Sequence, residues 1–107
     1  MTWSNLGKAA ALAAICALLS AASVAAEDAR GRELINSLGC KGCHQFEGSG
    51  GTLAPALDGT GKRLDAEQIK KQLTEPGSIN PNTMMPSYAH LPEDDLQILI
   101  SFLENLK

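Results

Sequence analysis

Aromatic residues are scarce: one Trp, one Tyr and two Phe among 107 residues. Trp3 sits at the extreme N-terminus, so a domain built from the rest has only Phe46, Tyr88 and Phe102 for its aromatic core. Cysteine is also sparse, with Cys16, Cys40 and Cys43. No stretch alternates apolar and polar residues convincingly, which argues against a sheet. A basic stripe is missing too. Nine Lys and Arg face twelve Asp and Glu, a net charge of −3, so nothing here neutralises a phosphate backbone and nucleic acid is excluded as a partner. Internal repeats, low-complexity tracts and linkers are likewise lacking.

What is present starts with a leader. Lys8 supplies a positive n-region, "AAALAAICALLSAASV" is an apolar run, and "VAA" places small residues ahead of Glu27 and Asp28. This is a secretory signal pattern over residues 1–26 with cleavage after Ala26, and it predicts export to the periplasm. Membrane attachment follows only if the signal stays uncleaved, and the run is near the lower limit of ~20 apolar residues for a span. Ile15 is a poor residue ahead of a lipidated cysteine, so Cys16 is not read as an anchor. Cleavage removes Trp3 and Cys16 and leaves one mildly acidic domain, residues 27–107, in an oxidising compartment. A chain of about 80 residues buries little core of its own and often depends on a disulfide, metal or cofactor.

Within that domain the signals are helical. "EDARGRELINSLG" opens on acidic residues, carries Leu34, Ile35 and Leu38 on one face and stops at Gly39. "HQFEGSGGTLAPALDGTGKR" is rich in Gly and Pro and reads as a loop. "DAEQIKKQLTEPG" predicts a short helix with Asp65 as its N-cap, ending before Pro76. "SINPNTMMPSYAHL" reads as an extended connection. "PEDDLQILISFLENLK" gives the strongest helix, with Pro92 at its start, acids in its first turn, and Leu96, Leu99, Ile100, Leu103 and Leu106 at helical spacing. The expectation is an all-α domain of about three helices with long loops. Loops of that length in so small a domain imply that something besides protein organises them, and a large apolar cofactor would do so.

"CKGCH", residues 40–44, carries the chemistry. A dithiol redox motif needs a low-pKa cysteine at a helix N-terminus, normally beside a βαβ unit, but Cys40 follows a helix and no strand precedes it. A disulfide between Cys40 and Cys43 would close a very short loop and stabilise little. Structural zinc needs four ligands, and His90 is the only other strong one. Cys-x-x-Cys-His is the haem c attachment motif: two thiols add to the vinyl groups, and His44 presents its imidazole under the iron. One covalent haem c, attached on the exported side of a membrane, also accounts for the leader.

With these residues in place the chain resembles the class I c-type cytochromes, the small bacterial monohaem cytochromes c, over essentially all of residues 28–106. The resemblance rests on the order helix, CxxCH, loop, middle helix, methionine loop, last helix, and on "LAPALDGTGKR", which is similar to the family's Pro-x-Leu-x-Gly loop followed by Arg. It implies the cytochrome c fold around the haem. It also implies that the Pro55 carbonyl accepts from His44 Nδ1–H, that Leu57 packs on the haem, and that Arg63 lies near a propionate. Gly31, Leu34 and Ile35 would pack against Leu99 and Phe102. For the second axial ligand the resemblance favours Met85, which directly precedes Pro86 in the loop between the middle and last helices. Met84 is the runner-up and His90 a distant third.

A His/Met pair stabilises Fe(II) and leaves no open iron position, so the implied role is electron transfer with another redox protein, a dehydrogenase, oxidase or reductase. The chain would then be a carrier rather than an enzyme. Two alternatives stand beside it: the haem c subunit of a periplasmic dehydrogenase complex, for example a sulfite dehydrogenase, and an open-site haem enzyme or sensor, for which His90 is the only distal candidate. Lys41, Lys62, Arg63, Lys70 and Lys71 are candidates for a cationic docking rim, against an acidic cluster at Glu93–Asp95.

Overall fold

The computed structural model describes residues 3–107, with side chains from residue 15 onward. Met1 and Thr2, and the side chains of Trp3 and of Lys8 in the expected n-region, lie outside the described residues. Five α-helices follow in order: α1 (Trp3–Ser37), α2 (Thr60–Arg63), α3 (Ala66–Thr74), α4 (Pro76–Ile79) and α5 (Glu93–Glu104), with a single 3-10 turn at Cys40–Gly42 between the first two. Among the described residues the only β-type pairings are two isolated bridges, so the all-α expectation holds.

Three differences from the sequence reading have local causes. The first helix does not begin at Glu27 but continues through the Ala- and Leu-rich leader as one helix of 35 residues, because that run contains strong helix formers and no breaker. Thr60–Arg63, read as loop, makes one helical turn. It starts after Gly59, whose φ of 74° is a left-handed conformation that glycine adopts without strain. Pro76–Ile79 is also a turn of helix, with Pro76 at its first position, where a missing N–H costs nothing. No helix among the described residues is long and apolar enough to cross a membrane.

The core lies where α1 crosses α5. Leu34, Ile35, Leu99 and Phe102 are buried there, and a Cβ placed on Gly31 would come within 2.6 Å of Phe102 Cγ, so glycine is what lets the two helices approach. Ile69 and Leu73 bring α3 into the same cluster, joined by Leu96, Ile100 and Leu103 of α5. Asp65 caps α3 reciprocally: its carboxylate accepts the Gln68 N–H at 2.9 Å, and Gln68 Oε1 accepts the Asp65 N–H at 3.0 Å. At the open end of the helix pair, Arg30 grips Asp95 with two hydrogen bonds of 3.0 and 2.8 Å, tying α1 to the first turn of α5. The same contact holds the Asp95 carboxyl below the usual carboxylate range.

Phe46 is the third arm of this core. Its ring meets Phe102 edge-on at 6.0 Å, and the Arg32 guanidinium lies 5.6 Å from both ring centroids while pairing with Asp28 and Glu47. The loop after the 3-10 turn is thereby pinned to α1.

Candidate functional site

Cys40 follows the left-handed Gly39 and opens the 3-10 turn, whose wrap brings the Cys43 and His44 amides onto the Cys40 carbonyl at 3.3 and 3.0 Å. Both thiols are free and half-buried. Burial pushes the Cys40 thiol above its ordinary pKa, with the Tyr88 hydroxyl beside it opposing part of that rise.

The segment from Gly51 to Leu57 then folds back along residues 41–45. Gly51 donates its N–H to the Lys41 carbonyl at 2.8 Å, Ala54 to Cys43 at 3.0 Å, and Leu57 to Gln45 at 2.8 Å. That return is tight enough to exclude side chains at two points. A Cβ on Gly51 would collide with the Gly42 carbonyl, and one on Gly50, already at φ +119°, would strike the His44 carbonyl. The outcome of this register is a backbone carbonyl, that of Pro55, facing the imidazole of His44. The His44 Nδ1–H donates to it at 2.5 Å, which fixes the tautomer and leaves Nε2 as the ring's free lone pair.

Arg63 reaches back from α2 to brace the same loop. Its two terminal nitrogens donate to the Ala56 carbonyl at 2.9 Å and to the Asp58 carbonyl at 3.1 Å, on either side of the buried Leu57. The Asp58 carboxylate accepts the Glu47 N–H at 3.2 Å, and Thr60 Oγ1 donates to the Leu57 carbonyl at 2.5 Å. Neither Asp58 nor Thr60 stands out in the sequence, because a residue that organises loop backbone leaves no periodic trace.

The two adjacent methionines differ sharply. Met84 is 81 % exposed, whereas Met85 is half-buried and packs on the edge of the core. Met85 N–H donates to Thr83 Oγ1 at 3.1 Å, and Gln72 Nε2 donates to Met85 Sδ at 3.4 Å. Gln72 belongs to a cavity of about 270 Å³ that it lines with Leu64, Gln68, Lys71 and Ile79. Tyr88 closes the methionine segment: its N–H donates to the Leu73 carbonyl at 2.8 Å and its hydroxyl to the Leu38 carbonyl at 3.2 Å. Tyr88 is buried and its hydroxyl lies against Cys40, so the methionine segment and the cysteine turn share a wall. His90 is exposed and stacks loosely on Tyr88, with ring centroids 6.4 Å apart.

Chemically the arrangement offers two thiols, one imidazole with a free nitrogen, and one half-buried thioether. No three His, Cys, Asp or Glu side chains among the described residues gather into a metal-binding cluster, so the donors do not form a zinc-type site.

The family model for cytochrome c matches residues 29–107. The chain is also 29 % identical, over 86 residues, to the cytochrome c oxidase subunit 2 of Alkalihalophilus pseudofirmus. That match takes in 73 % of this chain but spans only 25 % of the relative, so the likeness concerns one portion of a longer protein.

Proposed function

Because the chain belongs to the cytochrome c family, which carries covalently bound haem c and transfers electrons, we propose that it is a periplasmic one-electron carrier whose haem iron is held by His44 and Met85. The observation that carries the ligand assignment is the contrast between the two methionines, with Met85 anchored by Thr83 and Gln72 and Met84 turned to solvent.

The residues present fit a haem. Cys40 and Cys43 are unpaired thiols with two residues between them, His44 has one nitrogen committed and one free, and Leu53 and Ile79 are large apolar side chains that the protein leaves 77 % and 49 % exposed. Cys40 and Cys43 would hold the group by thioethers, and His44 and Met85 would supply the two axial donors. The group contributes a reversible iron couple, and a soft sulfur donor favours its reduced state. The chain's own contribution is rigidity. Pro55 keeps the imidazole in one orientation, Arg63 keeps Pro55's loop in place, and Thr83 and Gln72 hold the sulfur. These contacts would keep both donors in place as the electron moves. With His44 and Met85 both holding the iron, small ligands would find no site, and the substrate would be another redox protein.

Export through residues 1–26 belongs to the same proposal, with the domain of residues 27–107 as the mature form. A second reading is a tightly held electron-transfer subunit of a larger oxidoreductase. The oxidase-subunit relative supports it, since there the matched portion is one part of a longer chain. Gel filtration of the native protein separates the two readings, a carrier eluting as a monomer. The ligand assignment is tested by the sulfur-to-iron charge-transfer band of the oxidised protein. That band should vanish in Met85→Ala and persist in Met84→Ala, and its survival in Met85→Ala would refute the assignment.

A further inference from the structure

The segment that carries Met85 runs between α4 and α5 and depends on few fastenings. Pro81, Pro86 and Pro92 have no N–H to give, so none of them anchors it by backbone donation. Beyond bonds to sequence neighbours, residues 83–91 are tied to the second half of α3. Gln72 Nε2 donates to Met85 Sδ at 3.4 Å, the Tyr88 N–H to the Leu73 carbonyl at 2.8 Å, and Ser87 Oγ to the Thr74 carbonyl at 2.7 Å. Only one hydrogen bond among the described residues crosses from this segment to the cysteine side of the site. Tyr88 donates its hydroxyl to the Leu38 carbonyl at 3.2 Å, two residues ahead of Cys40. That carbonyl lies just past the end of α1 and no backbone N–H reaches it, so Tyr88 is its sole partner among the described residues. The residue is 7 % exposed and its hydroxyl also lies against Cys40, a partly buried setting in which a hydrogen bond is stronger than in water.

We propose that Tyr88 is a positioning residue, a latch whose hydroxyl joins the methionine segment to the cysteine turn and so keeps the iron's sixth position closed to small ligands. The inference deepens the electron-carrier reading and rests on Met85 being an axial ligand. The fastenings divide by what they resist. The three bonds to α3 hold the segment to one wall of the site. They do not set the distance between that wall and the turn that carries Cys40, Cys43 and His44. The Tyr88 hydroxyl does, because it starts on the segment and ends on the residue that leads into the turn. Met85 leaves its place when the segment moves back from the turn, and the latch has to open for that. A small ligand that competes with the sulfur therefore binds only the open form, and its apparent affinity is reduced by the fraction of molecules that are open. Removing the hydroxyl takes one hydrogen bond from the closed form and leaves the ring packed.

The test uses the haem-loaded protein, with imidazole as the competing small ligand. Tyr88→Phe keeps the ring and removes the hydroxyl, whereas Ser87→Ala removes a neighbouring bond to α3 and leaves the latch intact. Imidazole affinity is read from the disappearance of the sulfur–iron band, with far-UV circular dichroism confirming the fold. Tyr88→Phe should bind imidazole about three- to tenfold more tightly than wild type, the worth of one hydrogen bond. Ser87→Ala should bind it as wild type does. An unchanged or weaker affinity in Tyr88→Phe overturns the inference, and an equal gain in Ser87→Ala does the same by showing that any loosening of the segment suffices. Tyr88 is the only tyrosine in the chain, so ultraviolet resonance Raman of the wild-type protein follows its hydroxyl directly. Saturating imidazole should change that signal, and an unaltered hydroxyl rejects the latch without any variant. Ligation is judged separately. A band that survives in Met85→Ala rejects the axial assignment itself, whereas a band lost there, with the imidazole affinity unmoved in Tyr88→Phe, rejects the latch alone.

Discussion

Single residues in this protein act mostly by holding backbone in place. Gly61 is the sharpest case: its N–H donates to the Leu106 carbonyl at 2.8 Å, and a Cβ there would run into the Glu104 carbonyl. Both colliding groups are backbone, so neither can rotate away. Gly61→Ala should destabilise by about 1–3 kcal/mol and lower Tm by roughly 5–15 °C, measured by thermal melting. Arg63 illustrates the milder version. Arg63→Gln removes two charged hydrogen bonds from the Ala56 and Asp58 carbonyls at an exposed position, at a cost of about 1 kcal/mol. Its more informative effect should be on His44. With the loop less constrained, the Pro55 carbonyl holds the ring less firmly, which hyperfine-shifted NMR signals of the imidazole would report.

At the scale of elements, caps and cross-links set which helices persist under stress. Asp65→Ala removes a reciprocal cap from α3, the helix that carries Gln72, and should cost about 1 kcal/mol in chemical denaturation. The Arg30–Asp95 link is pH-dependent with a definite sign. Its first cause is the hydrogen bond from Arg30, which depresses the Asp95 carboxyl in the folded state. The stabilisation is therefore fully present above the ordinary aspartate pKa and lost as pH falls through the lower folded value. Asp95→Asn should be less stable than wild type at neutral pH, and the difference should shrink towards zero in strong acid. An equal difference at both pH values would deny the link its electrostatic origin.

Elements also show how much was legible beforehand. The last helix and the Asp65 cap were readable because periodicity and capping are local signals. The start of α1 was not, since acidic residues at 27–28 resemble a helix start whether or not helix formers precede them. α2 and α4 were hidden because a single turn is too short to show periodicity. In the site, CKGCH announced itself through spacing alone, while the Pro55 partner was reachable only through family resemblance. Gln72 and Thr83 could not be found from the sequence at all, since their contacts join residues 13 and two positions apart through a fold with no pattern to mark them.

At the scale of the whole molecule, twelve buried apolar residues form the core among the described residues, a small one for a domain of this length. A covalently held haem would then add to the core as well as supply the chemistry. A Cys40→Ser, Cys43→Ser double variant that cannot attach haem should lose cooperative melting rather than merely shift its midpoint. Retained cooperativity would show that the polypeptide core suffices alone.

The unbroken run of α1 has a consequence for the order of events during biogenesis. Proteases that process exported chains act on extended backbone, yet residues 22–26 lie in the middle of a helix anchored downstream by Leu34, Ile35 and Arg30. If the proposed cut after Ala26 takes place, processing and folding compete for the same peptide bonds. Either the cut precedes the docking of α1 on α5, or the helix has to melt back towards Arg30 to admit it. A precursor with α1 already docked would be the slower one to mature.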